Sequence, residues 1–419
     1  MRKKNRISIL STRFALLPLI GFVFYSCTEV DYREVENPAY LRVFNDLNYV
    51  VTAFAEDDQL PYLTMLIDPV FDADRIPTDA AIVSDFLDRR NSYASPYPTH
   101  SESGTSVWNP EYPGREEVLV APVVNGFDLS SWAQIPSGKH RFVFMRRPYN
   151  DISFFELRKS LKQTVLLDTT LTLDAYEVYT LNVLQKDFET KENGVILRKE
   201  NFIKQPFSDS LVYVNFYNYS AKGFWQADAS YKGIINGAPN QLEYGIQDTM
   251  KILMSLYRFP EVSHSYSYFK EGNHNYIGNY YELYQRMLYR NTESNSVAPY
   301  LGFPLFADTA SNDIVTDMLE SFIFIRPDMT GWEQDINDLN MTGVTTQFAR
   351  LVFCGTENDT KDIRFYFEKM TPCVFPNMIV NTHSGIYNPR SFATVNFVEV
   401  VNGEAYLTTV QRRFDPPVY

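Results

Sequence analysis

Thr394-Val-Asn-Phe-Val-Glu-Val-Val-Asn402-Gly403-Glu-Ala-Tyr-Leu-Thr-Thr-Val410 is the stretch that decides the fold class. Apolar and polar residues alternate on both sides of an Asn-Gly pair, which readily supplies the two positive-φ positions of a type I′ turn. A β-hairpin follows. Three further pairs, Asn125-Gly126, Asn193-Gly194 and Asn236-Gly237, predict turns of the same kind. Phe (31) and Tyr (29) are abundant while Gly (18) is sparse, a composition that favours strands. Helices are expected only at Asp79–Arg89, capped by Thr78, and at Asn279–Tyr289, where Tyr280, Leu283, Tyr284, Met287 and Leu288 fall at helical spacing.

The strand pattern recurs along the chain. Tyr40-Leu-Arg-Val-Phe-Asn45 and Tyr213-Val-Asn-Phe-Tyr-Asn218 share the order aromatic, apolar, polar, apolar, aromatic, Asn. Phe142-Val-Phe-Met-Arg146 and Phe322-Ile-Phe-Ile-Arg326 match in turn, each with a proline soon after. Their separations, 102 and 109 residues, are close enough to predict one module used twice. In the first copy Pro136-Ser-Gly-Lys139 reads as a turn feeding a strand at His140–Met145. Short strands follow at Gln163–Leu167 and Thr170–Leu173, then a longer one at Tyr176–Leu184.

At the N-terminus Arg2, Lys3, Lys4 and Arg6 precede twelve uncharged residues, Phe14 to Tyr25, too few for the ~20 that a spanning helix needs. Ser26-Cys27 closes that run. The arrangement resembles a bacterial lipobox in the looser form of Bacteroidota-type lipoproteins. The resemblance implies a signal peptide at 1–26, an acylated Cys27 and a tether at 27–37. Two or three acyl chains would anchor stably, at ~0.8 kcal/mol per buried CH₂. Loss of residues 1–26 removes five cations and no anions, so the formal charge moves from −13 to −18. So acidic a surface repels phosphate backbones and excludes nucleic acid as a partner. Cys354 and Cys373 are the remaining cysteines: a candidate disulfide in an oxidising compartment, or two buried thiols, with no zinc-site spacing around them.

Between these landmarks lie two aromatic-rich polar insertions, 91–115 and 263–281. Tyr93 and Tyr266 each fall 53 residues after the tyrosine that opens their repeat, which predicts corresponding surfaces on two related domains. Flat aromatic faces stack on sugar rings while Asn, Asp, Glu and His satisfy hydroxyls, and Tyr and Trp lose little entropy on being fixed. The candidate ligand-binding residues are Tyr93, Tyr97, Trp108 and Tyr112 in one insertion and Tyr266, Tyr268, His274 and Tyr276 in the other. Equally, these rings could pack the insertions onto their own domains. Trp132 and Trp225 are expected in the core. Asp68, Asp72, Asp74 and Asp79 lack the glycine and closing glutamate of a calcium loop and are expected in a solvated turn. No nucleophile motif, metalloprotease motif or phosphate-cradling loop occurs, so neither catalytic residues, metal nor cofactor are expected.

Residues 38–186 carry a Tyr-x-Arg-Val-x-Asn start, a Pro-x-Gly turn before a strand, and a Leu-Thr-Leu…Tyr-Thr-Leu strand pair. Together these resemble a bacterial β-sandwich family of unknown function, found as tandem copies in cell-envelope lipoproteins. The second half keeps only the opening strand and the Phe-x-Phe-x-Arg strand. The expected fold is mainly β: two related immunoglobulin-like β-sandwich domains in tandem, 38–205 and 206–419, with a few short helices and a C-terminal β-hairpin addition. The resemblance implies an outer-membrane, lipid-anchored protein facing the cell exterior. It would bind a glycan or other nutrient beside a TonB-dependent transporter and its Sus-like partner. Two alternatives stand beside it, a structural or adhesive subunit that binds protein and a glycoside hydrolase with paired carboxylates.

Overall fold

The computed structural model describes residues 35–47, 62–87, 90, 119–148, 150, 152–208, 211–224, 226–227, 248–258, 285–304, 318–325, 349–354, 372–374, 382–383, 391–392, 394–402 and 404–412. The first half supplies β1 (Pro38–Asn45), β2 (Leu63–Phe71), β3 (Pro77–Leu87), β4 (Ala133–Pro136), β5 (Gly138–Arg146), β6 (Val165–Leu173), β7 (Val178–Gln185) and β8 (Asn193–Glu200). The second supplies β9 (Leu211–Asn218), β10 (Thr249–Arg258), β11 (Gln285–Tyr289), β12 (Leu301–Pro304), β13 (Met318–Ile325) and β14 (Ala349–Cys354). After these come β15 (Pro372–Val374), β16 (Thr382–His383), β17 (Ser391–Phe392), β18 (Thr394–Val401) and β19 (Glu404–Gln411). Helical structure among the described residues is confined to single 3₁₀ turns at Phe154–Glu156, Lys159–Leu161 and Phe202–Lys204.

Strand order shows that the two halves are copies. An inner sheet β4-β1-β7-β8 in the first half has its counterpart in β12-β9-β18-β19. In both, the opening strand runs parallel to the third member and antiparallel to the first. The outer sheet β3-β2-β5-β6 likewise corresponds to β11-β10-β13-β14, to which β15 adds a fifth strand. The copies differ at one pairing: β5 and β6 are antiparallel, β13 and β14 parallel. The matched segments Tyr40–Asn45 and Tyr213–Asn218 lie in β1 and β9, and Phe142–Arg146 and Phe322–Ile325 lie in β5 and β13, at equivalent places.

The hairpin expected around Asn402 forms at Thr394–Gln411, with Val401 paired to Glu404 and Asn402 at φ 45. It is no appendage. β18 and β19 occupy the places of β7 and β8, so they are the strand pair that motif matching finds missing from the second copy.

The central inner strands β1, β7 and β18 are buried on both faces. Ala39, Leu41 and Val43 of β1, with Tyr179, Leu181 and Val183 of β7, pack on Leu63, Met65, Phe142 and Phe144 of the outer sheet. The opposite face (Tyr40, Val178, Leu184, Ile196) packs on Tyr217, Val395, Phe397, Val401, Tyr406 and Val410 of the second inner sheet. Parallel strand pairs are characteristically buried in this way, because a parallel crossover brings chain over both faces. Residues Asn37–Tyr419 accordingly form one compact unit.

Several local expectations are corrected. Of the helix expected at Asp79–Arg89, the described part, Asp79–Leu87, is instead in β3, paired with β2 from Leu63↔Leu87 to Phe71↔Pro77, and 88–89 lie outside the described residues. The apolar spacing at Ile82 and Val83 suits either form, and the cross-strand partner overrides a weak helical preference. Gln285–Tyr289 is β11, with Leu288 buried between exposed Met287 and Tyr289, a period of two and not of 3.6. Asn193-Gly194 makes no turn. The β7–β8 connection closes earlier, with Lys191 at φ 61, and Asn193 already pairs with Gln185. Gly194 is small for another reason, since a Cβ there would overlap the Lys186 stem. Asn125-Gly126 does turn, with both residues at positive φ. Asn236-Gly237 lies outside the described residues. The two short strands at 163–173 are one, β6, which carries an irregularity opposite Phe144 and Met145. The Pro136–Lys139 turn forms, with Gly138 at φ 133 carrying the chain from inner to outer sheet.

Candidate functional site

Cys27, Tyr93, Tyr97, Trp108, Tyr112, Tyr266, Tyr268, His274, Tyr276 and Trp225 lie outside the described residues. The connections that carry them are nonetheless defined by their flanks. Segment 91–115 falls between β3 and β4, whereas 263–281 falls between β10 and β11, the counterparts of β2 and β3. Equal offsets along the chain therefore do not mean equivalent places. The first insertion leaves where β1 finishes, the second at the end of the fold where β9 begins. Cys354 and Cys373 lie on the neighbouring strands β14 and β15, but Cys373 pairs with Leu351, three positions along β14 from Cys354.

The aspartates are engaged as turn and pair residues. Asp72 Oδ1 accepts the amides of Asp74 and Ile76 at 2.9 Å, closing the β2–β3 turn, and Lys159 bridges Asp72 and Asp74. Asp68 accepts the Arg141 amide and lies 2.6 Å from His140 Nδ1. Asp79 accepts the Ala80 amide.

Trp132 is in the core, its indole N–H donating to the Tyr179 carbonyl. It marks the most unusual place in the molecule. Between the two inner sheets, three guanidiniums and three carboxylates are buried together: Arg42, Arg90, Arg198, Asp46, Glu200 and Glu399. Alternation along the strands puts them there. Arg42 lies between Tyr40 and Phe44 on the face of β1 that meets the second copy, and Thr180 and Arg198 continue the same row across β7 and β8. From the opposing sheet β18 presents Glu399, two positions beyond Phe397.

The charges alternate along a chain of contacts. Glu200 Oε1 accepts from Arg198 Nε (2.8 Å) and from Thr180 Oγ1 (2.6 Å), and Thr180 in turn accepts from Arg42 Nε (3.0 Å). Arg198 Nη1 donates to Glu399 Oε1 at 2.8 Å and to Tyr219 at 2.8 Å. Arg90 Nη1 donates to the other Glu399 oxygen at 2.5 Å and to Asp46 at 3.1 Å. Asn182 donates to Asp46 at 2.7 Å. Aromatic faces complete the enclosure. Arg42 lies 4.1 Å from the Trp132 ring centroid, Arg90 3.8 Å from Phe44, and Arg198 4.2 Å from Tyr217. Weakly hydrated guanidiniums tolerate such stacking better than ammonium groups do.

Burial opposes the charge on Arg42, Arg90, Arg198, Asp46 and Glu399, and the neighbours decide the outcome. At Glu399 the two guanidiniums of Arg90 and Arg198 outweigh burial and hold the carboxyl down at about 2. Burial likewise works against Arg198, yet Glu200, Tyr217, Tyr219 and Glu399 hold it well above the ordinary arginine range. Arg42 has the weakest compensation, a 3.9 Å approach to Glu200, and burial pulls it to about 9. Asp46 is pushed up by burial in spite of Arg90. A carboxylate held as Glu399 is stays ionised near neutrality and donates no proton there. The arrangement acts as a clamp between the copies. A second buried pair, Arg147 with Asp85, ties β3 to the end of β5, and Asp85 also accepts from Thr64 and the Phe154 amide.

The clamp was not foreseen among the candidate residues. The available signal was a lone Arg at an inward position of β1 and a lone Glu on the Val395–Phe397 face of β18. Comparison with protein-family models gives no match, and comparison with curated proteins gives none either.

Proposed function

We propose that this chain is a lipid-anchored protein of the outer membrane surface that binds a glycan, as accessory to a TonB-dependent uptake system. The observation that carries the reading is the pairing of a rigid scaffold with aromatic-rich connections. Insertions 91–115 and 263–281 spring from strands locked into sheets, and a stiff frame lowers the entropy lost when its loops order around a ligand. Ser26-Cys27 at the end of a short apolar run supports the anchor. Among the described residues no helix is long and apolar enough to cross a membrane. Because the insertions leave different ends of the two copies, two separate subsites fit better than one site built from both.

Isothermal titration calorimetry against a panel of neutral oligosaccharides tests the reading. Heat with at least one of them, together with a change in Trp108 fluorescence abolished by Trp108→Ala, is the expected result. Silence across the whole panel would sink it.

The adhesive alternative has one observation of its own. β6 is an edge strand of nine residues whose side chains are mostly exposed or half-buried, and among the described residues nothing pairs with its outer edge. Such edges accept strands from partners. Recovery of a partner protein cross-linked at Thr170 or Thr172, in place of any glycan binding, would favour that role.

A further inference from the structure

An open sheet edge invites another chain, and proteins guard such edges with charge, proline, bulges or a covering segment. The first copy guards three of its edges in these ways. β4 is covered on its outer side, where the Gln134 amide donates to the Leu119 carbonyl and Val120 bridges to Ala133. β8 is met by Asn295, whose Oδ1 accepts the Leu197 amide at 3.1 Å. β3 carries Pro77, Asp79, Asp85 and two register shifts against β2. β6 has no such guard over Leu167–Leu173. Its register against β5 is regular along that run, the irregularity falling earlier, opposite Phe144 and Met145. The run holds no lysine, arginine or proline. Its one charge, Asp168, is drawn back onto Arg141 by hydrogen bonds of 2.9 and 2.6 Å. Among the described residues no strand pairs with its outer side. The second copy shows what such an edge takes. β14, the counterpart of β6, has β15 laid antiparallel along its far side, from Arg350↔Val374 to Val352↔Pro372.

We propose that the β6 edge seats a second copy of this chain, whose own β6 pairs antiparallel to it about Thr170, the middle of the regular run. The strand is complementary to itself in that register. Two-fold pairing sets Thr170 against the partner's Thr170 and Asp168 against the partner's Thr172. It sets Thr169 against the partner's Leu171 and Leu167 against the partner's Leu173. Residues directly opposite across an antiparallel pair share a face. The exposed side chains Asp168, Thr170 and Thr172 therefore meet one another on the outer face, with no like charges opposed. The inner face supplies the attraction. Leu167 and Leu171 are only half-buried, at the margin of the core that contains Leu63, Phe142 and Phe144. A second β6 carries leucines on the same face and continues that core layer from one copy into the next. The outcome is an isologous interface that joins two four-stranded outer sheets into one. Seven paired residues bury little surface, so the association belongs to the weak, reversible class. The proposal stands apart from the glycan reading and holds whatever ligand the insertions take.

Photocross-linking of the full mature chain tests this. With benzoylphenylalanine in place of Thr172, irradiation should give a species of twice the chain mass. Mass spectrometry of its digest should find the label joined to β6 of the other copy, near the partner's Asp168. In the same photoreactive background Thr170→Lys sets two ammonium groups against each other and should abolish that species, and Thr170→Glu should do the same with two carboxylates. Thr170 is exposed, so either variant keeps the fold. Mixing the two opposes Lys to Glu and should restore the cross-link. A chain that stays single after irradiation overturns the proposal, and so does a cross-link to a different protein or to another part of a second copy. Undiminished cross-linking in Thr170→Lys, or no recovery in the mixture, overturns it equally.

Discussion

Glu399 is the residue on which the junction of the two copies turns. It is the acid shared by Arg90 and Arg198, and both cations are buried. Breaking a buried pair on one side leaves an uncompensated charge and costs about 3–5 kcal/mol. Glu399→Gln should therefore lower the unfolding free energy by an amount in that range, read as a lower urea midpoint at an unchanged m-value. The pH dependence has a definite sign. Unfolded, Glu399 takes up a proton near its ordinary 4.5, and folded only at about 2. Its contribution is present above pH 4.5 and is lost as pH falls towards 2. Asp46, pushed up by burial, acts in the opposite sense: it favours the folded state when protonated and loses that effect as pH rises. Denaturation at a series of pH values should show stability falling between about 4.5 and 2, and Glu399→Gln should flatten that limb. An identical slope in both proteins would mean that Glu399 is not held as described. The residue scale was also where sequence reading was blindest. Arg42 and Glu399 stood in plain view at inward positions of alternating strands. What joins Glu399 to Arg198 across 201 residues is the face-to-face packing of two sheets, which no local spacing encodes.

At the scale of elements, period-two alternation around turns was readable and helical spacing was not. The Asn402 hairpin, β5, β7 and the equivalence of β1 with β9 all followed from alternation. Asp79–Leu87 and Gln285–Tyr289 misled because five to eleven residues with apolar spacing near three or four satisfy either period, and the sheet partner decides. Asn402 shows what a readable turn rests on. Its φ of 45 suits Asn or Gly, and its Oδ1 accepts the Ala221 amide at 2.7 Å, pinning the hairpin to the end of β9. Asn402→Ala should cost about 1–3 kcal/mol from backbone strain together with the lost contact. Chemical denaturation checks this, and a change below about 0.5 kcal/mol would show that the turn is not under that constraint. Equal residue counts misled in another way. Fifty-three residues from each repeat start lead into different connections, because the β2–β3 link is a tight turn at Asp72–Ile76 while 259–284 separates β10 from β11.

For the molecule as a whole, two tandem modules share one interior. Phe202, Trp132 and Tyr40 from the first copy and Phe397, Tyr217 and Val401 from the second belong to the same buried cluster. Independent beads on a string would unfold separately. Here calorimetry should record one transition, with equal van't Hoff and calorimetric enthalpies. Two resolved peaks would show that the inner sheets part before either copy melts. The rings proposed to bind glycan lie outside the described residues, so the scaffold was more legible in the sequence than the site it is proposed to display.

The chain order of the clamp has a consequence for biogenesis. Arg90 has Asp46 behind it in the chain, but its second carboxylate, Glu399, arrives 309 residues later, on β18. Until Thr394–Gln411 has left the ribosome, the N-terminal copy exposes a face studded with Arg42, Arg198 and Glu200 among Trp132 and Tyr40. That face is too charged to collapse on itself and too aromatic to stay in water unattended. Late, long-range closure of this kind slows folding and prolongs the exposure of apolar surface. A premature stop before Thr394 would thus cripple both copies, because it removes β18 and β19 from the inner sheet that the first copy packs on.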